Sequence, residues 1–137
     1  MLKSDDAIAE ARSYLGCKWR HRGRSHFGID CIGLIVKAMA AGGIQMRDRL
    51  DYSRTPHLDG LQRELEEHFG EPVAIETMQP GDVVLMRWEN DAEPSHVGLI
   101  ASNDQGLTLI HSYSMIHVSE HRISPDWMRR IVKVYRP

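Results

Sequence analysis

Asp30-Cys31-Ile32-Gly33-Leu34-Ile35, continued by Val36-Lys37-Ala38-Met39-Ala40, sets a cysteine where a glycine-rich loop meets an apolar helical run. Ile32, Leu34, Ile35, Ala38 and Met39 recur at mixed three- and four-residue spacings, so residues 31 to 40 read as a helix with a broad buried face. Gly42-Gly43 supplies the stop, and Asp30 is the expected N-cap. A side chain in the first turn meets unpaired backbone N–H groups and the positive end of the helix dipole, which favour the ionised thiol. Cys31 is therefore expected to have a lowered pKa and to act as a nucleophile. From this stretch alone the bland reading is the commoner one, because free cysteine is among the most buried residue types and a lone one on an apolar helix is usually packing.

The second half of the chain favours chemistry. Pro80-Gly81-Asp82 is a turn signal that opens Val83-Val84-Leu85, a short buried strand. Ser95-His96-Val97-Gly98-Leu99-Ile100 reads as a second strand, and Asn103-Asp104-Gln105-Gly106 connects it to a third, Leu107-Thr108-Leu109-Ile110-His111-Ser112. If 96–101 and 107–112 pair about the connection, His96 lies opposite His111 or Ser112, to within a register step. Paired strands run about 5 Å apart, so imidazoles on one face can touch. His96 then serves as base to Cys31 while His111 orients it, the arrangement of thiol hydrolases.

In order along the chain, Asp-Cys-x-Gly-Leu at a helix start, Pro-Gly-Asp before a strand, His-Val-Gly-Leu-Ile and Ile-His resemble the NlpC-type cell-wall cysteine peptidases. These are papain-like enzymes that cut the peptide stems of peptidoglycan. Tyr14-Leu15-Gly16-Cys17-Lys18-Trp19-Arg20-His21-Arg22-Gly23-Arg24 is similar to the loop that leads into their active site. The tail from His111 to Pro137 resembles the branch encoded by bacteriophages and gene transfer agents. Carried over position by position, the resemblance puts the nucleophile at Cys31, the base at His96 and the third polar residue at His111. It implies cleavage of the γ-D-glutamyl to diamino acid bond, and it also admits thiol amidases and acyltransferases. A structural tail-tip component with weak hydrolysis is the reading from another class.

Two departures from the family pattern bear on the site. Ile32 stands where the family commonly has serine, which alters packing more than chemistry. Cys17-Lys18-Trp19 replaces Thr-Pro-Tyr, so the Trp19 indole N–H, which donates but never accepts, would take over any role of that tyrosine. The Cys31 backbone N–H, presented by the helix start next to Asp30, is the expected oxyanion donor.

Length and composition fit one domain spanning residues 1–137, with 42% hydrophobic and 26% charged residues. A formal charge of −2 gives no field to recruit nucleic acid. No stretch is long enough to span a membrane. Residues 1–16 read as an amphipathic helix capped by Ser4 and ending near Gly16, rather than a signal peptide. The expectation is synthesis in the cytoplasm and delivery to the wall within a virion or tail, with tail-tip proteins as partners beside the stem peptide.

Residues 44–79 carry less chemistry. A helix is expected from near Asp59 to Gly70 on Leu61, Leu65 and Phe69, after a polar surface loop from Met46 to Pro56. Lys18 to His26 reads as a solvated basic loop, from which Arg22 and Arg24 are candidates to pair with stem-peptide carboxylates. No metal or cofactor is expected, since His111, His117 and His121 fit no metal-ligand spacing, and His117 and His121 read as exposed. Cys17 reads as a small packing residue. The order of helix, Cys31 helix, helix and about four to six antiparallel strands is α+β. The resemblance sharpens this to a papain-like, NlpC-type fold with N-terminal helices packed on a central antiparallel sheet.

Overall fold

The computed structural model describes residues 1–54, 60–90 and 92–137. Helix α1 spans Ser4–Ser13 and α2 spans Cys31–Ala41, with the short strands β1 (Arg24–Ser25) and β2 (Gly28–Ile29) between them. Helix α3 (Leu61–Phe69) follows, then β3 (Val83–Met86), β4 (His96–Asn103), β5 (Gly106–Ser112), β6 (Val118–Arg122), the one-turn α4 (Pro125–Met128) and β7 (Ile131–Tyr135). This is the expected α+β arrangement, with five strands in the order β6-β5-β4-β3-β7, every neighbouring pair antiparallel.

Period-two alternation along these strands divides the sheet into two apolar faces. Val83, Leu85, Val97, Leu99, Ala101 and Ile110 meet the buried sides of α1 and α2. Val84, Met86, Ile100, Leu109, Ile131 and Val134 form a second core with Met78 and the flank of Trp127. Burial on both faces is why Val83–Met86 reads as an unbroken apolar run. Asp82 is buried just before it and is held by Arg136 at 2.9 Å, which fastens the C-terminal end of β7 to the start of β3.

Helix α2 starts where the sequence places it, because the Asp30 carboxylate accepts the Gly33 N–H at 2.8 Å. Ser4 is instead the first residue inside α1, one place beyond the N-cap, and Lys3 occupies the cap without a side-chain hydrogen bond. Asp5 and Asp6 supply the negative charge that suits this helix start. Arg24 and Ser25, expected in a loop, pair with Ile29 and Gly28 in a small hairpin. The expected start of α3 at Asp59 and the loop end at Pro56 lie outside the described residues. Among the described residues no helix is long and apolar enough to cross a membrane.

The β4–β5 register differs from the expected one by one to two residues, with Leu99 facing Ile110 and Asn103 facing Gly106. Gly106, at φ +130°, lets the connection shrink to Asp104-Gln105, so both strands extend further into it. Position 98 thereby lies across from His111. His96, two residues back on the same face, reaches His111 on the diagonal.

Candidate active site

Cys31, the first residue of α2, and His96, the first residue of β4, line one cleft together with Trp19, Trp88 and Ser95. Packing of α2 across β4 makes this meeting possible, and Gly98 keeps it open. A β-carbon at Gly98 would come within 2.6 Å of the Leu109 side chain and 3.4 Å of the His111 Cβ. The fold thus brings Cys31, His96 and His111 to one place, with His96 and His111 both buried.

His96 Nε2 lies 2.7 Å from His111 Nδ1. The far nitrogen of His111, Nε2, lies 2.8 Å from His121 Nε2, and His121 Nδ1 is 2.9 Å from the Arg122 carbonyl. His121 is half-buried on β6 and joins the site, against the expectation that it stands in solvent; His117 is exposed as expected. Trp88 tilts over His96 with ring centres 4.4 Å apart, and Trp127 packs at 5.0 Å from His111 and 4.7 Å from His121. These rings exclude water from the imidazoles.

Dehydration sets the protonation states. Burial holds His96 down to about 3 and, with the neighbouring His96, His121 and Arg130, His111 down to about 2. Burial and then the Asp30 carboxylate push the Cys31 thiol up to about 12, although the backbone N–H groups of Val97, Ile32 and Cys31 itself pull the other way. The expectation of a lowered thiol pKa is corrected here. Desolvation of a sulfur with only 8% of the residue exposed, beside an anionic N-cap, outweighs the helix N-terminus. Both shifts favour the neutral forms, a thiol at Cys31 and an uncharged imidazole at His96.

Asp30 is the hub of the cleft floor. Besides the Gly33 N–H, its carboxylate accepts the Arg22 backbone N–H at 2.8 Å, Arg24 Nη1 at 3.0 Å and the Tyr52 hydroxyl. Burial and the bond to Asp30 raise the Tyr52 phenol pKa. Arg24 also donates to Asp48, the Gly23 and Arg49 carbonyls and the Tyr52 oxygen, so its five N–H groups are all engaged. Arg22 fastens onto the Tyr52 carbonyl through Nε and Nη2. Neither guanidinium, expected to pair with substrate carboxylates, is among the residues lining the cleft, and both brace the loop around Asp30. Among the described residues lining the cleft, Arg54 is the one Lys or Arg, 5.8 Å from the centre of the Trp19 ring.

Cys17 is a free, half-buried thiol packed against the main core. Among the described residues no three or more His, Cys, Asp or Glu side chains are grouped to hold a metal ion. Sequence reasoning missed Tyr52, Trp88, Trp127 and His121. The first three carry no local signal, whereas His121 shares the odd-numbered face of its strand with Ser119, which pairs with His111.

The sequence profile of the NlpC/P60 family matches residues 16–136. Among curated proteins, the chain is 28% identical over 98 residues to the probable endopeptidase NlpC of Escherichia coli, a stretch covering 70% of this chain and 54% of that protein. The chain therefore spans about half the length of that relative. An NlpC/P60 family protein from Bacillus cereus superposes with a TM-score of 0.70 at 22% identity, over 97% of this chain and 39% of that one. The NlpC/p60 domain of the peptidoglycan hydrolase SagA superposes with a TM-score of 0.67 at 16% identity, over 99% and 100% of the two chains. At such identities the structural likeness is one of fold.

Proposed function

We propose, from the premise that this chain belongs to the NlpC/P60 family, that it is a cysteine peptidase hydrolysing amide bonds in peptidoglycan stem peptides. The observation that carries this reading is the meeting of Cys31 and His96 on one cleft, with His96 Nε2 engaged by His111 and Nδ1 left for the thiol proton. Cys31 Sγ attacks the amide carbonyl while His96 accepts that proton. The Cys31 backbone N–H at the helix start steadies the oxyanion, and the Trp19 indole N–H is the candidate second donor. His96 then protonates the departing amine, and water clears the acyl-enzyme with His96 as base.

The substrate class is supported by the relatives, one named a probable endopeptidase and another a peptidoglycan hydrolase. Within that class the family resemblance favours the γ-D-glutamyl to diamino acid bond, and Arg54, on the cleft wall, is the candidate partner for a stem carboxylate. Delivery to the wall with a bacteriophage tail, in contact with tail-tip proteins, is the accompanying reading, supported by the tail-sequence likeness. Mass spectrometry of purified particles from the source genome tests it, and particles lacking the protein would end it.

The decisive assay incubates the protein and a Cys31→Ala variant with defined muropeptides and identifies products by mass spectrometry. Cleavage by the parent alone is expected and reveals the bond. Intact muropeptides with a folded, reduced parent would remove the peptidase reading.

A further inference from the structure

His96, His111 and His121 occupy diagonal positions on one face of three successive strands, β4, β5 and β6, and each touches the next ring nitrogen to nitrogen. A carbonyl oxygen only accepts, so the contact of His121 Nδ1 with the Arg122 carbonyl fixes the proton on Nδ1. When His121 carries a single ring proton, its Nε2 is left as an acceptor. His111 must then donate from Nε2, its Nδ1 must accept, and His96 must donate from Nε2. Of the six ring nitrogens of these three histidines, His96 Nδ1 is then the one left with an unshared lone pair. Burial keeps the His96 and His111 rings neutral, and the nearby Arg130 charge acts on His111 in the same direction. Trp127, with Arg130 4.6 Å from its ring centre, packs on the outer side of His121 and holds that ring in place.

We propose that His121 is a positioning residue which, anchored by the Arg122 carbonyl, selects the tautomer of the base through His111 so that His96 offers Nδ1 to Cys31. The proposal rests on the reading of Cys31 and His96 as nucleophile and base. Its consequence is directional: reversing the hydrogen bond at the β6 end reverses every ring and puts a proton on the nitrogen that must accept one.

The parent protein is the first test. Nitrogen-15 NMR of the imidazoles should show His96 and His111 protonated on Nε2 and His121 on Nδ1; His96 protonated on Nδ1 would overturn the proposal. The second test substitutes position 121 with side chains of fixed polarity. His121→Glu only accepts and should keep the His96 tautomer and hydrolysis within a few-fold of the parent. His121→Lys only donates and should shift His96 towards the Nδ1–H form. It should lower kcat by roughly a hundred-fold with KM little changed, the low end of what general-base catalysis supplies. His121→Leu imposes no direction and should fall between. Equal losses for the Glu and Lys variants, with the His96 tautomer unmoved, would mean that His121 only packs. The ring spectra do not depend on turnover. Ring protons placed and moved as expected, in a parent that cuts no muropeptide, would uphold the relay and remove the peptidase reading instead.

Discussion

Asp30→Asn isolates what the buried carboxylate does, because the amide keeps the shape and one oxygen. That oxygen still caps Gly33, and asparagine is as good an N-cap as aspartate, so the helix start loses little. The amide nitrogen, however, replaces the oxygen that accepts the Arg22 N–H and the Tyr52 hydroxyl, and leaves a donor facing a donor. An unsatisfied buried donor costs about 1–3 kcal/mol, and demoting the Arg24 contact from charged to neutral costs about 1 kcal/mol more. Arg24 is only 14% exposed but keeps Asp48, so a total of about 3 kcal/mol is expected, at the low end for breaking a buried pair. At this chain length that lowers Tm by roughly 10 °C. Urea titration of Asp30→Asn beside Asp48→Asn is the assay. Asp48 is 35% exposed, and its variant should lose no more than about 1 kcal/mol. The same substitution removes a charge that raises the Cys31 thiol pKa, so alkylation of Cys31 should move to lower pH. An Asp30→Asn protein as stable as Asp48→Asn would refute the hub.

Three further outcomes follow from the geometry. In acid, His96 and His111 stay neutral in the fold to about 3 and 2, whereas unfolded histidine takes a proton near 6.5. Between those limits the unfolded state binds more protons, so stability falls as pH drops below 6.5, by roughly 1.4 kcal/mol per pH unit for each histidine. Urea midpoints from pH 7.5 to 5 should show this slope, with a reduced slope in His111→Gln; a flat profile would contradict the buried neutral rings. With the Cys31 thiol raised to about 12, iodoacetamide should modify it slowly from pH 6 to 8, and rapid loss of the thiol at pH 6 would show a resting thiolate–imidazolium pair. Gly98→Ala drives a methyl against Leu109 and the His111 Cβ, so it should cost about 1–3 kcal/mol and lower kcat more than KM. Wild-type turnover in that variant would show that the His111 ring has room to spare.

The helix at Cys31 and the strand at Val83 were legible because their signals are local: a cap, a stop, an apolar run, a Pro-Gly-Asp turn. His96 and His111 were legible as a pair because hairpin parity constrains which side chains share a face. The exact register was not, since it depended on how far Gly106 would let the turn tighten. Tyr52 sits in a stretch that looks polar throughout, and it is buried by contacts with residues far along the chain, Asp30, Arg24 and Arg22. The thiol was misjudged for a related reason. A helix start announces itself in the sequence, whereas the dehydration around it is built by β4 and by loops remote along the chain. Trp88 and Trp127 likewise reveal their purpose only once β3 and α4 bring them over the imidazoles.

The ring-to-ring contacts cross two hairpins, so the proposed base would be only as well aimed as the alignment of three strands. A slip of one residue in either hairpin would turn a histidine to the opposite side of the sheet and cut the contact. Such a molecule would keep Cys31, every imidazole and most of its compactness, yet have no oriented proton acceptor. On the proposed mechanism, turnover would therefore read out strand alignment, and specific activity would measure the fraction of chains that have paired their hairpins correctly.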